Sequence, residues 1–163
     1  MGTKIKYFLT IVFFPVVILF LIIKKLLTKL KNKTIRKYIS TVDINTIDTL
    51  NGIEFEDFLQ TVFICYGYLV EKTKKSHDYG ADLIVKNKDK KIAVQCKLYY
   101  KHTVGNSAIQ EVATAKDFYN TDEAIVITNS KFSKPAINLA EKIGVKLLDR
   151  NDLDKLLKEG LFI

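Results

Sequence analysis

With 163 residues, 48% of them apolar and 27% charged, the chain can bury the core of about one domain, which excludes a wholly disordered protein. Its formal charge of +8 is unevenly placed: residues 1–42 hold nine Lys and Arg and no acid, whereas residues 43–163 hold seventeen against eighteen acids. The basic character therefore belongs to the N-terminus and is no argument that the folded part is a basic nucleic-acid binder.

Tyr7 to Ile23 is an uncharged run flanked by Lys4 and Lys6 on one side and Lys24 and Lys25 on the other. With Leu26 and Leu27 added and the lysines reaching out to the interface, it approaches the roughly 20 residues that span a bilayer. The expectation is a transmembrane anchor over 1–27, kinked at Pro15, then a basic stalk or linker over 28–45 and a folded domain over 46–163. A cleavable signal peptide would end in small residues at a cleavage site, and none follow. Lys24, Lys25, Lys29, Lys31, Lys33, Arg36 and Lys37 outnumber Lys4 and Lys6, so the positive-inside rule predicts a single-pass membrane protein with its C-terminal domain in the cytoplasm. The same cations suit anionic lipid headgroups, and they also suit DNA phosphates. Cys65 and Cys96 lack metal-ligand spacing and sit in apolar runs, as buried, reduced thiols do.

From Gly52 the apolar positions Ile53, Phe55, Phe58, Leu59, Val62, Phe63 and Tyr66 recur at helical spacing, with Gly67 placed to end the helix. Tyr68 to Lys72 reads as a strand and Thr73 to Tyr79 as a polar loop in which Asp78 is a turn former. Ala81 to Lys86 and Lys91 to Leu98 read as the arms of a hairpin turning at Asn87 to Lys90. Ser107 to Tyr119 has the pattern of a half-buried helix. Ala124 to Thr128 is a continuous apolar run, which fits a strand covered on both faces. Asn129 and Ser130 follow it, at an edge where ligands gather in open sheets and where turn formers are equally at home. Ser133 caps a helix with Pro135 in its first turn and Gly144 past its end. Val145 to Leu148 is a last strand, and Asn151 or Asp152 opens a closing helix. The order αβββαβαβα predicts an α/β sandwich whose early strands are antiparallel and later ones parallel.

If the hairpin turn is symmetric, Asp82 lies opposite Gln95, and the period of two puts Lys97 on that same face. Leu83, Val85, Val94 and Cys96 then point the other way, into the core. A carboxylate, an amide oxygen and an ammonium on one rigid face suit a divalent cation beside a phosphodiester. A solvent-facing polar stripe has the same pattern.

Laid out in this order, GIEFEDFL at 52–59, GY at 67–68, HDYGADLIV at 77–85, VQCK at 94–97 and VITNSKFSKPA at 126–136 resemble the Mrr-like type IV restriction endonuclease family of the PD-(D/E)xK nuclease superfamily. The resemblance covers residues 48–157 and leaves the N-terminal quarter outside. It implies a restriction-endonuclease-like three-layer sandwich with a mixed central sheet and an αβββαβ core. It further implies a metal-dependent DNA endonuclease acting on foreign or modified DNA, with Mg²⁺ as the cofactor and Mn²⁺ as a substitute. Asp82, Gln95, Lys97 and Glu56 become the catalytic set, with Asp82, Gln95 and Glu56 on the metal, and Gln110 becomes a supporting residue. Gln95 stands where many superfamily members carry an acid, so Glu56 would restore the missing negative charge. DNA and the membrane are the expected partners, and a homodimer is the usual way to address both strands. The Gln95 variant also fits a catalytically inactive module that binds nucleic acid or a protein partner.

Overall fold

The computed structural model describes residues 2–73 and 79–160, with side chains from residue 17 onward. Of the sequence expectations, the side chains of Tyr7 to Val16 and the loop residues 74–78, with His77 and Asp78, lie outside the described residues. The chain divides into two units, Met1–Ile35 and Arg36–Ile163. The first belongs to α1 (Gly2–Ile39). From Val17 to Leu30 its large apolar side chains are exposed. Among the described residues, no helix is long and apolar enough to cross a membrane.

In the second unit, the last turn of α1 is fixed by Ile39, which is buried, and by Arg36. The Arg36 guanidinium lies over the Tyr66 ring and its Nε donates to the Cys65 carbonyl at 2.7 Å. There follow α2 (Ile44–Ile47), α3 (Gly52–Cys65), β1 (Leu69–Lys72), β2 (Leu83–Lys86), β3 (Lys91–Lys97), α4 (Asn106–Phe118), β4 (Glu123–Thr128), α5 (Lys134–Ile143), β5 (Lys146–Leu148) and α6 (Arg150–Glu159). The five strands form one sheet in the order β1-β2-β3-β4-β5. β1, β2 and β3 pair antiparallel and β3, β4 and β5 pair parallel, as the alternation of short strands and helices predicts.

Both faces of the sheet are covered. Ile84, Ala93, Ala124 and Val126 pack against Ala108, Ile109, Val112 and Ala115 of α4 and Ala136 and Ala140 of α5. Leu83, Val85, Ile92, Val94, Ile125 and Ile127 alternate with that set, are fully buried, and face the side on which α3 meets β1, β2 and β3 and α6 meets β4 and β5. The result is helix, sheet and helix in three layers. α3 begins at Asn51, whose side chain accepts from the Glu54 N–H while Glu54 returns the bond, a reciprocal cap. Its Phe55, Leu59, Val62 and Phe63 are buried, but Ile53 is exposed. α6 starts earlier than the sequence suggests. Asp149, not Asn151 or Asp152, is its cap, accepting from the N–H groups of both.

Arg150 ties the sheet's far end to α2. It pairs with Asp48 at 2.7 Å and donates to the Asn129 carbonyl and the Asn45 side chain. The hydrogen bond from Arg150 holds the Asp48 carboxyl below its ordinary range, more strongly than burial raises it, and Asn129 adds to the effect. A carboxylate lowered on folding stabilises above its unfolded pKa of about 3.9, and that stabilisation is lost as pH falls through the folded value. With both side chains near one-third exposed, solvent screening keeps the contribution to about 1 kcal/mol. Asp48→Asn should therefore melt about 3–6 °C lower at pH 7. The gap to wild type should close below about pH 4, where the wild-type carboxyl also takes up a proton. Thermal unfolding at several pH values checks both statements.

Candidate active site

The hairpin β2–β3 has the register expected from a symmetric turn, with Leu83 opposite Val94 and Ile84 opposite Ala93. Asn87 closes that turn: its backbone N–H bonds the Lys90 carbonyl and its side chain accepts from Asp89 and Lys90. Asp82 lies just before β2, but its N–H still donates to the Val94 carbonyl, continuing the ladder by one residue. On the other side, Thr73 donates to the Asp82 carbonyl. The Asp82 backbone is thus held between two strands.

Its carboxylate receives two bonds from β3 on one oxygen. Oδ2 accepts from the Cys96 N–H at 2.6 Å and from Gln95 Nε2 at 2.8 Å. This fixes the Gln95 amide, since turning it over would set two oxygens against each other. Gln95 is only 5% exposed, beneath the α4 layer, so it is not part of a solvent-facing stripe. Its Oε1 is buried and, among the described residues, has no hydrogen-bond partner. A lone pair left unmatched in the interior costs about 1–3 kcal/mol, and an amide oxygen beside a carboxylate is the donor set a hard divalent cation takes. The residues present therefore fit Mg²⁺ or Mn²⁺ at Asp82 and Gln95, although among the described residues no three His, Cys, Asp or Glu side chains cluster as a metal site.

Lys97 follows two residues on, and its ammonium pairs with Glu111 of α4 at 2.7 Å. Glu56 is turned to Lys72 of β1 at 3.2 Å, and Lys72 also holds Asp57 at 2.7 Å. The Lys72 ammonium is strengthened by these two acids against the opposing effect of burial. The thiol of Cys96 shows how near these charges lie. Burial pushes it well above its ordinary value, Asp82 and Glu56 push it further, and Lys72 and Lys97 act against them. Four charges, from α3, β1, β3 and the residue before β2, thus act on one thiol, which stays protonated. Asp82 and Gln95 are brought into contact and Lys97 is set beside them. Glu56 is near, but held by a lysine.

Gln110 is exposed on α4, and the helix residue that reaches the site is its neighbour Glu111. Sequence reading passes over Glu111 and shows Lys72 only as one of several lysines clustered around the hairpin, until the fold sets each against its partner. Asn129 is buried, and its side chain bonds both backbone groups of Tyr99 and the Asp48 carboxylate. Ser130 donates to the His102 carbonyl. Both are structural.

A family model described as restriction endonuclease, the Mrr catalytic domain, matches residues 47–157. The chain belongs to this restriction endonuclease family. The Mrr-type domain is similar in fold to the DNA modification-dependent restriction endonuclease AspBHI, with a TM-score of 0.56 and 16% identity, over 76% of this chain and 35% of that one. It is also similar to a protein of unknown function, AF1548, with a TM-score of 0.53 and 15% identity, over 61% of this chain and 59% of that one. The chain thus spans less than two thirds of either structure. No match was found among curated proteins. The mixed five-stranded sheet of the Mrr-type domain is a restriction endonuclease fold.

Proposed function

We propose that this chain hydrolyses DNA phosphodiester bonds with a divalent cation held by Asp82 and Gln95, and that it does so tethered to a membrane. The observation that carries the reading is the Gln95 Oε1, buried and unmatched among the described residues, beside the Asp82 carboxylate and two residues from Lys97. A divalent cation bound there supplies Lewis-acid polarisation of the phosphate and a more acidic water. Asp82 accepts from the Gln95 amide nitrogen, so the amide oxygen is the atom that would take a cation. Lys97 orients the attacking water and answers the negative charge that builds on the phosphate oxygens. Glu56, paired with Lys72 at 3.2 Å, would have to leave that lysine to add the carboxylate that the neutral amide at Gln95 does not provide.

The substrate we favour is foreign or modified DNA, in keeping with the family and with the fold likeness to a modification-dependent enzyme. A homodimer would address both strands. The tether is supported by the exposed apolar side chains from Val17 to Ile23, stable in lipid and costly in water. The lysines that follow it favour a cytoplasmic domain.

The full-length chain, purified in detergent, should nick supercoiled plasmid with Mg²⁺ or Mn²⁺ and leave it intact in EDTA. Methylated and unmethylated plasmids read the substrate preference. Folded protein that retains DNA without cutting it in any metal would instead indicate a binding module. Membrane fractions should keep the chain after carbonate washing; recovery in the wash would remove the tether.

A further inference from the structure

We propose that Glu111 is a positioning residue: it holds the Lys97 ammonium toward α4 and shares its charge, so that the lysine and a divalent cation can stand side by side at Asp82 and Gln95. The inference rests on the metal-dependent reading above and adds to it a residue that neither the sequence motifs nor the family match assigns.

Alternation along β3 puts Lys97 on the face of Gln95, whose amide is bonded to Asp82. An ammonium on a flexible stem beside a carboxylate competes with a cation for it. Glu111, 2.7 Å from that ammonium, is a second acid that draws the lysine toward α4. Glu111 is well placed to do this. Its neighbours on α4, Ala108, Ile109, Val112 and Ala115, are buried against the sheet and fix the helix.

The same residue also supports the other half of the site. Gly80, two residues before Asp82, packs on the Glu111 backbone so closely that a Cβ there would lie 2.2 Å from the Glu111 carbonyl oxygen. One residue of α4 therefore sets Lys97 through its side chain and the approach to Asp82 through its backbone.

Glu111 is partly exposed, and an exposed ion pair contributes little to stability. A purely structural pair would show itself in the melting temperature; a positioning residue shows itself in the metal and the rate. The test compares the full-length wild type with E111A and E111Q. It measures Mn²⁺ affinity without DNA by electron paramagnetic resonance, DNA affinity, cleavage at saturating Mn²⁺ and DNA, and thermal unfolding.

E111A should lose about 10- to 100-fold in Mn²⁺ affinity and in cleavage rate, the usual effect of removing a residue that orients a metal site. DNA affinity and melting temperature should stay near wild type. E111Q should recover part of both losses, because its amide oxygen still accepts from Lys97. Wild-type Mn²⁺ affinity in E111A would overturn the inference. So would a wild type that binds no Mn²⁺, or losses in both variants that track a fall in melting temperature. A wild type that binds Mn²⁺ but cuts no DNA would defeat the nuclease reading alone, and the Mn²⁺ affinities would still decide the role of Glu111.

Discussion

Asp82→Ala should abolish metal-dependent cleavage, lowering the single-turnover rate by about 10³-fold or more, which corresponds to several kcal/mol of transition-state stabilisation. The size follows from how much converges on one side chain. Asp82 is the carboxylate of the cation pair, and it is also what orients its partner, since Gln95 Nε2 donates to it at 2.8 Å. With alanine in its place the Gln95 amide is free to turn, the site loses the charge of that carboxylate, and the Cys96 N–H loses an acceptor at 2.6 Å. Stability should fall as well, by about 1–3 kcal/mol for the unmatched buried donors. Asp82→Asn separates the two losses. It keeps an oxygen for Cys96 or Gln95 but not the charge, so it should melt nearer wild type and remain as inactive as the alanine variant. Single-turnover cleavage and thermal unfolding, measured on the same preparations, read the two quantities.

Gly80→Val should be the most damaging single change to the fold near the site. Gly80 has φ +93°, a conformation that side-chain-bearing residues avoid. A Cβ there would lie 2.2, 2.5 and 2.8 Å from the carbonyl oxygen, carbonyl carbon and Cα of Glu111. These are backbone atoms of a helix packed on the sheet, so no side-chain rotation relieves the clash; either α4 or the Asp82 approach must shift. The expected loss is about 3 kcal/mol or more, a fall in melting temperature of about 10 °C or more. Cleavage should fall too, because the displaced loop carries Asp82. Gly67→Ala is the control. It shares the positive φ, +90°, but no atom of the described residues lies within 4 Å of its Cβ position, so it should cost only the backbone strain of about 1–2 kcal/mol.

Much of this arrangement can be read from local pattern, and the reason is that the hairpin is local. A four-residue turn between two alternating runs sets the register, and the register alone puts Asp82 against Gln95. The helices and later strands likewise follow from periodicity and from caps such as Ser133 and Gly144. What cannot be read depends on contacts between residues far apart in the chain. Gln95 has the look of a polar stripe because nothing in its neighbourhood says that α4 lies over it. Glu111 and Gln110 are adjacent polar residues on one helix, and only the packing of Ala108 and Val112 decides which of them reaches Lys97. Lys72 sits among several lysines, and its pairing with Glu56 and Asp57 needs α3 laid against β1. The bond from Arg150 to Asp48 joins residues at opposite ends of the domain. The one-turn helix α2 is too short to show a period at all.

Whether the residues on this hairpin carry out hydrolysis with a bound cation is decided by cleavage of a labelled duplex under single-turnover conditions with Mg²⁺, comparing the full-length wild type with Lys97→Ala in folded preparations that bind the duplex equally. The wild type should cut in a reaction that EDTA stops, and the rate should be lowered by at least about 10²-fold in the variant, as expected when a positive charge at the reacting phosphate is removed. Equal rates from the two proteins would contradict hydrolysis at this hairpin.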